Sequence, residues 1–139
     1  MGGVSSERLI SIKTGNQVYA AIKDIYDVKK ILVSKNIKKL IDILVNEKPN
    51  FIFNALHGRF GEDGQLQSIL NSLKIPYTHS GVLSSALAMN KYLAKIVFKS
   101  RGINCPHGIL VNSQTIKNHK IGYPFIIKPN NGGSSIDMH

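Results

Sequence analysis

The chain has 139 residues, of which 42% are hydrophobic and 19% charged, a composition typical of soluble globular proteins and not of disordered ones. It contains no run of about 20 apolar residues, which is the length that a membrane-spanning helix needs. The single cysteine, Cys105, excludes an internal disulfide framework and a cysteine-rich zinc site. No secretory signal follows Met1, so the sequence predicts a cytoplasmic protein.

The net charge of +10 arises from 18 Lys and Arg residues against 8 Asp and Glu residues. Such an excess is compatible with a nucleic acid, an anionic membrane or a polyphosphate ligand. A solvated lysine surface explains the excess better, because Ile and Asn, which share AT-rich codons with Lys, are also abundant. Since no nucleic-acid recognition motif accompanies the charge, we expect neither a nucleic acid nor a membrane as partner.

Apolar residues alternate along the chain between helical and extended spacing. The helical periods predict helices over residues 6–25, 37–45, 66–73 and 84–99. Asp63 is the predicted N-cap of the third helix, and Pro49 and Gly102 are stop signals after the second and fourth. Extended runs predict strands over residues 26–33, 51–53 and 76–78. This order predicts an α/β fold with a parallel sheet, which binds ligands at the carboxyl ends of its strands.

The pattern changes from about Cys105. Two strands are predicted over residues 108–111 and 125–128, joined by a polar loop and followed by the glycine-rich residues 129–135. At the other end of the chain, a turn such as Gly2-Gly3 normally follows a strand, and the sequence shows none before it. We therefore expect an exposed sheet edge and poor solubility of the isolated chain.

Two loops in the first half of the chain carry candidate site residues. Residues 2–8 precede a helix, where glycines allow a close ligand approach and the helix N-terminus favours anions; Glu7 in this loop could equally just favour the helix dipole. Residues 54–65 follow a predicted strand and combine His57 with Arg59, two carboxylates and three glycines. His57 is thus either a ligand-binding residue or a structural hydrogen-bonding residue.

A third loop begins at Lys128, at the end of a predicted strand. The sequence from Lys128 to Ser135 reads KPNNGGSS, which offers a cation, backbone N–H groups and two hydroxyls to a phosphate. It is not a Walker A loop, and taken alone it could be a flexible turn.

The three loops together resemble D-alanine–D-alanine ligases, a family of the ATP-grasp superfamily. The resemblance is carried by GGVSSER at residues 2–8, LHGRFGEDG at 56–64, IPYTHSGVLSSALAMNK at 75–91 and KPNNGGSS at 128–135. It covers nearly the whole chain. It implies a Rossmann-like, parallel-sheet pre-ATP-grasp domain over residues 1–88, without its first strand, and the truncated beginning of an ATP-grasp domain over 89–139.

The resemblance also implies roles for single residues. Glu7 would contact the ammonium group of the first D-alanine, and His57 would help to position that substrate. Ser134 would share with Glu7 a catalytic hydrogen-bond network that anchors a mobile loop. The groups expected around the ATP phosphates are Lys91, Lys128, Ser134 and Ser135. The implied reaction joins two D-alanines through an acyl phosphate for peptidoglycan synthesis.

The implied cofactors are ATP and Mg²⁺ or Mn²⁺, with no metal ligand assignable in this chain, and the implied assembly is a homodimer. Two positions depart from the family pattern, since Asn90 stands where Asp is usual and Asp137 where Gly is usual. We expect the isolated chain to be inactive. The alternative is a catalytically inactive remnant that binds a small molecule or a partner.

Overall fold

The computed structural model describes residues 1–118 and 120–132. The chain divides into two compact units, of which the first is Met1–Ala86 and the second begins at Leu87. The assignment of residues 1–88 and 89–139 to two named domains stays a prediction. Ser134, Ser135 and Asp137 lie outside the described residues.

The first unit contains the helices α1 (Arg8–Ile22), α2 (Ile37–Glu47) and α3 (Gln65–Ser72). Helix α2 confirms the sequence prediction. The side chain of Asn36 caps it by accepting a hydrogen bond from the Lys39 N–H, and Lys48, in the left-handed conformation, ends it before Pro49. Its inward residues Leu40 and Leu44 are buried, as its helical period predicts.

The start of α3 differs from the prediction. The N-cap is Gly64, whose φ of +93° favours glycine, and not Asp63. The Asp63 carboxylate instead accepts hydrogen bonds from the backbone N–H groups of Phe60 and Gln65, at 3.0 and 3.2 Å. It therefore stabilises both the turn before the helix, through Phe60, and the first residue of the helix, Gln65, without being the N-cap residue.

The predicted parallel sheet is not confirmed, because the described residues contain isolated bridges instead of strands. Parallel bridges join Gly2 to Val33 and Ile52 to Tyr77. The extended segments thus lie in the parallel arrangement that the sequence predicts, but no ladder forms over residues 26–33, 51–53 or 76–78.

The core of the first unit lies between these extended segments and helices α2 and α3. Its buried hydrophobic residues form one cluster, which consists of Val33, Leu40, Leu44, Leu56, Phe60, Leu66 and Leu70. The cluster holds the end of α3 and the loop after Ile52 in fixed positions, and that loop carries His57.

The predicted helix over residues 84–99 is wrong as a single element, because it is two helices that meet at Asn90. Helix α4 spans Val82–Met89, beginning in the first unit, and α5 spans Lys91–Ser100. Asn90 interrupts the helix with an extended backbone, and its side chain caps α5 by accepting a hydrogen bond from the Leu93 N–H at 3.0 Å. At the other end, Gly102 adopts a φ of +72° after the last turn, as predicted.

The strands predicted over residues 108–111 and 125–128 are also wrong, since neither segment forms a strand. The described part of the second unit instead has a short 3₁₀ helix, Ile116–Asn118, and one antiparallel bridge between Asn90 and Asn131. Many of its apolar side chains stay exposed, among them Ile109, Leu110 and Ile126. None of the helices in the described residues is long and apolar enough to cross a membrane.

Candidate functional site

Ser11 joins the two candidate loops of the first unit. It lies on α1, is fully buried, and accepts a hydrogen bond from the Gly2 N–H at 2.8 Å. Its hydroxyl donates at 2.6 Å to the carbonyl of Ala55, at the start of the loop that carries His57. Loops that are about 50 residues apart in the sequence are thereby held side by side.

Glu7 occupies the junction between these loops. It is the N-cap residue of α1 and is only 3% exposed, yet among the described residues no group donates a hydrogen bond to its carboxylate. Its Oε2 lies against the α-carbon of Gly58, where an added Cβ would collide with it. A carboxylate in a largely buried residue, with no donor among the described residues, can accept a cationic group of a ligand.

His57 lies beside Glu7 with both ring nitrogens near polar groups. Its Nε2 is 3.0 Å from the Thr14 hydroxyl, and its Nδ1 is 3.7 Å from a carboxylate oxygen of Glu62. The Ser5 hydroxyl donates to the His57 carbonyl at 2.7 Å. The ring is therefore oriented on two sides, and the first loop is fixed to the second.

The loop over residues 54–64 has its own buried supports. The side-chain amides of Asn54 and Gln67 both donate to the carbonyl of Gly61, each at 2.8 Å. A carboxylate oxygen of Glu62 accepts a hydrogen bond from the Gly58 N–H at 2.7 Å. The two amide bonds fix the ends of the loop to the Gly61 carbonyl, and the bond between Gly58 and Glu62 fixes its middle.

The structure brings Lys91 and Lys128 together in the second unit. Burial lowers the pKa of Lys91, and the positive charge of Lys128 lowers it further. Lys91 Nζ donates to the Gly132 carbonyl at 2.7 Å, and its backbone N–H donates to the Asn130 carbonyl at 3.0 Å. The residues after Lys128 thus lie against the start of α5, where the two cations Lys91 and Lys128 are close enough to act on the same anion.

Two residues of the site around Glu7 and His57 were not predicted from the sequence. Ser11 and Thr14 lie inside a helix, outside the glycine-rich loops, and their signal is spacing: with Glu7 they occupy positions i, i+4 and i+7, one face of α1. The predicted Ser134 and Ser135 cannot be compared, since they lie outside the described residues. Among the described side chains, no group of three His, Cys, Asp or Glu residues is arranged to hold a metal ion.

Comparison with known proteins gives consistent results. The family described as the D-Ala–D-Ala ligase N-terminus matches residues 36–80. The D-alanine–D-alanine ligase of Granulibacter bethesdensis is 44% identical over 140 aligned residues, which cover 99% of this chain and 45% of that protein. The chain is similar to the N-terminal part of D-alanine–D-alanine ligases. The predicted resemblance to the N-terminal part of this family is therefore confirmed.

Solved ligase structures extend the similarity to the fold. The crystal structure of the D-alanine–D-alanine ligase from Bacillus anthracis matches with a TM-score of 0.80 and 37% identity, covering 100% of this chain and 46% of that one. The same enzyme complexed with ATP matches with a TM-score of 0.74 and 35% identity, covering 95% of this chain and 46% of that one. The chain thus spans less than half the length of these ligases.

Proposed function

We propose that this chain supplies the first D-alanine site and part of the ATP-phosphate site of an ATP-dependent, ADP-forming D-alanine–D-alanine ligase. The observation that supports this best is the contact between Glu7 and Gly58, which brings together two of the motifs that resemble the family around a largely buried glutamate with no donor among the described residues. The complete protein would act as a cytoplasmic homodimer in peptidoglycan precursor synthesis.

In the proposed reaction, the carboxylate of the first D-alanine attacks the γ-phosphate of ATP and ADP leaves. The amino group of the second D-alanine then attacks the acyl phosphate, and phosphate leaves. Glu7 would bind the ammonium group of the first D-alanine, with His57 beside it, so that the substrate carboxylate points away from Glu7. Positioning of this kind is the main contribution that phosphoryl transfer requires of a protein.

Lys91 and Lys128 would bind the ATP phosphates. Burial lowers the pKa of Lys91 and the repulsion from Lys128 lowers it further, and an anion bound between the two lysines would offset that repulsion and raise the pKa. Ser134 and Ser135 complete the proposed phosphate loop, and Ser134 the proposed network with Glu7. Mg²⁺ or Mn²⁺ would neutralise phosphate charge in the complete ligase, but the described residues do not fit a metal, and no step is assigned to one.

The substrate site can be tested by an NMR titration of the ¹⁵N-labelled chain. We expect D-alanine to shift the amides of residues 57–59, L-alanine to shift them less, and Glu7→Gln to abolish the D-alanine effect. Glu47→Gln, which removes an equal charge at the exposed last residue of α2, is the matched control. Identical shifts with both enantiomers, or in the Glu7→Gln variant, would overturn the proposed substrate site.

The phosphate site and the activity need separate measurements. A non-hydrolysable ATP analogue should raise the pKa of Lys91, followed by NMR of the lysine ε-carbons, and Lys128→Gln should reduce this rise. With ATP and D-alanine, the isolated chain should release no phosphate above background. D-Alanine binding without turnover fits a ligase part or a binding remnant, whereas clear turnover would contradict the expected inactivity.

A further inference from the structure

Asn130 joins the residues after Lys128 to the first turn of α5 by two hydrogen bonds. Its side-chain Oδ1 accepts from the Tyr92 N–H at 3.0 Å, although the two residues are 38 positions apart in the sequence. Its carbonyl accepts from the Lys91 N–H, also at 3.0 Å. Asn130 is therefore a second cap of this helix, in addition to Asn90.

The two caps determine which groups at the start of α5 can bind an anion. The first three N–H groups of the helix belong to Lys91, Tyr92 and Leu93, and each donates to Asn130 or Asn90. Helix N-termini bind anions through N–H groups that have no other acceptor, and these three already have one. Binding of an anion here therefore depends on the lysine side chains.

The two lysines of this site repel each other, so their proximity requires bonds elsewhere. The positive charge of Lys128 lowers the pKa of Lys91, after the larger effect of burial. Lys91 Nζ donates to the Gly132 carbonyl at 2.7 Å. Asn130 lies midway between Lys128 and Gly132, two residues from each. Its two bonds to α5 thus hold the whole segment that surrounds the Lys91 side chain.

We propose that Asn130 is a positioning residue for the phosphate groups of ATP. It holds residues 128–132 against α5, so that Lys128 and Lys91 face the same anion before that anion binds. An anion then gains the attraction of both cations without having to bring them together. This role rests on the proposed phosphate site, and Asn130 acts in it through the two lysines.

Hydrogen exchange measures the side-chain bond in the free chain. The N–H groups of a first helical turn ordinarily lack an acceptor. We expect the Tyr92 amide to exchange at least about threefold more slowly than in the urea-unfolded chain, and Asn130→Ala to remove this protection. Asn130→Ser, which keeps a side-chain acceptor, should restore it. Asn131→Ala, the same change at an exposed neighbour, leaves both Asn130 bonds to α5 in place and should have no effect. An unprotected Tyr92 amide in the wild-type chain would refute the bond without any variant.

NMR of the lysine ε-carbons connects this bond to the two cations. In Asn130→Ala we expect the pKa of Lys91 to rise toward its ordinary value, because Lys128 moves away and water reaches Lys91 more freely. Asn130→Ser and Asn131→Ala should keep the lowered pKa. Circular dichroism verifies that the variants fold. An unchanged pKa of Lys91 in folded Asn130→Ala would show that Asn130 does not hold the lysines together.

A non-hydrolysable ATP analogue, titrated against the same NMR signals, completes the test. We expect Asn130→Ala to bind it about three- to tenfold more weakly than the wild-type chain does, and Asn131→Ala to bind it equally well. Equal affinity of Asn130→Ala and wild type would overturn the positioning role and leave the proposed phosphate site intact. If the wild-type chain bound no analogue, the phosphate site itself would be refuted, and the role of Asn130 with it.

Discussion

At the scale of single residues, Ser11 determines how the first site is assembled. Replacing it by alanine leaves the Gly2 N–H and the Ala55 carbonyl without their partner in a buried place. Since each buried unpaired group costs about 1–3 kcal/mol, we expect Ser11→Ala to lower the free energy of unfolding by a few kcal/mol. Urea denaturation measures this loss. Ser6→Ala, at an exposed position one turn earlier, should change it by less than about 0.5 kcal/mol, and equal effects would refute the assignment.

Residues in glycine-rich loops could be predicted from the sequence, whereas their supports could not. Glu7 and His57 stand in motifs whose glycines and charges distinguish them from ordinary surface residues. Ser11 and Thr14 stand in a helix, where a serine or threonine gives no sign of its partner. Only the contact with a loop more than 40 residues away gives them a role, and no local pattern contains that information.

At the scale of elements, Asn90 is the residue that makes two helices out of one predicted helix. Asn90→Ala removes the side-chain cap of α5 and should cost about 1 kcal/mol of stability. Asn90→Asp restores the residue usual in the family and should keep or strengthen the cap, because an aspartate also accepts the Leu93 N–H and favours the helix dipole. Thermal unfolding of the two variants tests this. Equal loss of stability in both would show that Asn90 acts otherwise.

Helices were predictable here where an apolar period and a cap coincide, as in α2, and strands were not. The segments over residues 26–33 and 51–53 have the expected residue types, but a strand exists only when a neighbour pairs with it over several residues. In this structure each meets its neighbour through a single bridge. The second half of the chain shows the same effect more strongly, with extended apolar runs that do not form strands.

At the scale of the whole molecule, the two units differ in how much they bury. Every buried hydrophobic residue of the described chain lies between Val33 and Leu70, in the first unit. We therefore expect hydrogen exchange to be slow in α2 and α3 and fast over residues 103–118 and 120–132, because burial sets local stability. Mass spectrometry of exchanged peptides measures this, with the urea-unfolded chain as reference. Uniform protection over both units would contradict it.

The double hydrogen bond to the Gly61 carbonyl has a consequence for ligand affinity. Asn54 begins the loop and Gln67 lies in the helix that follows it, so buried amides at both ends of the loop donate to one carbonyl oxygen in its middle. A loop tied in this way loses little freedom when a small molecule settles against it, and little of the interaction energy goes into ordering it. The loop is thus preorganised: its conformation is fixed by internal hydrogen bonds and does not depend on closure around a ligand.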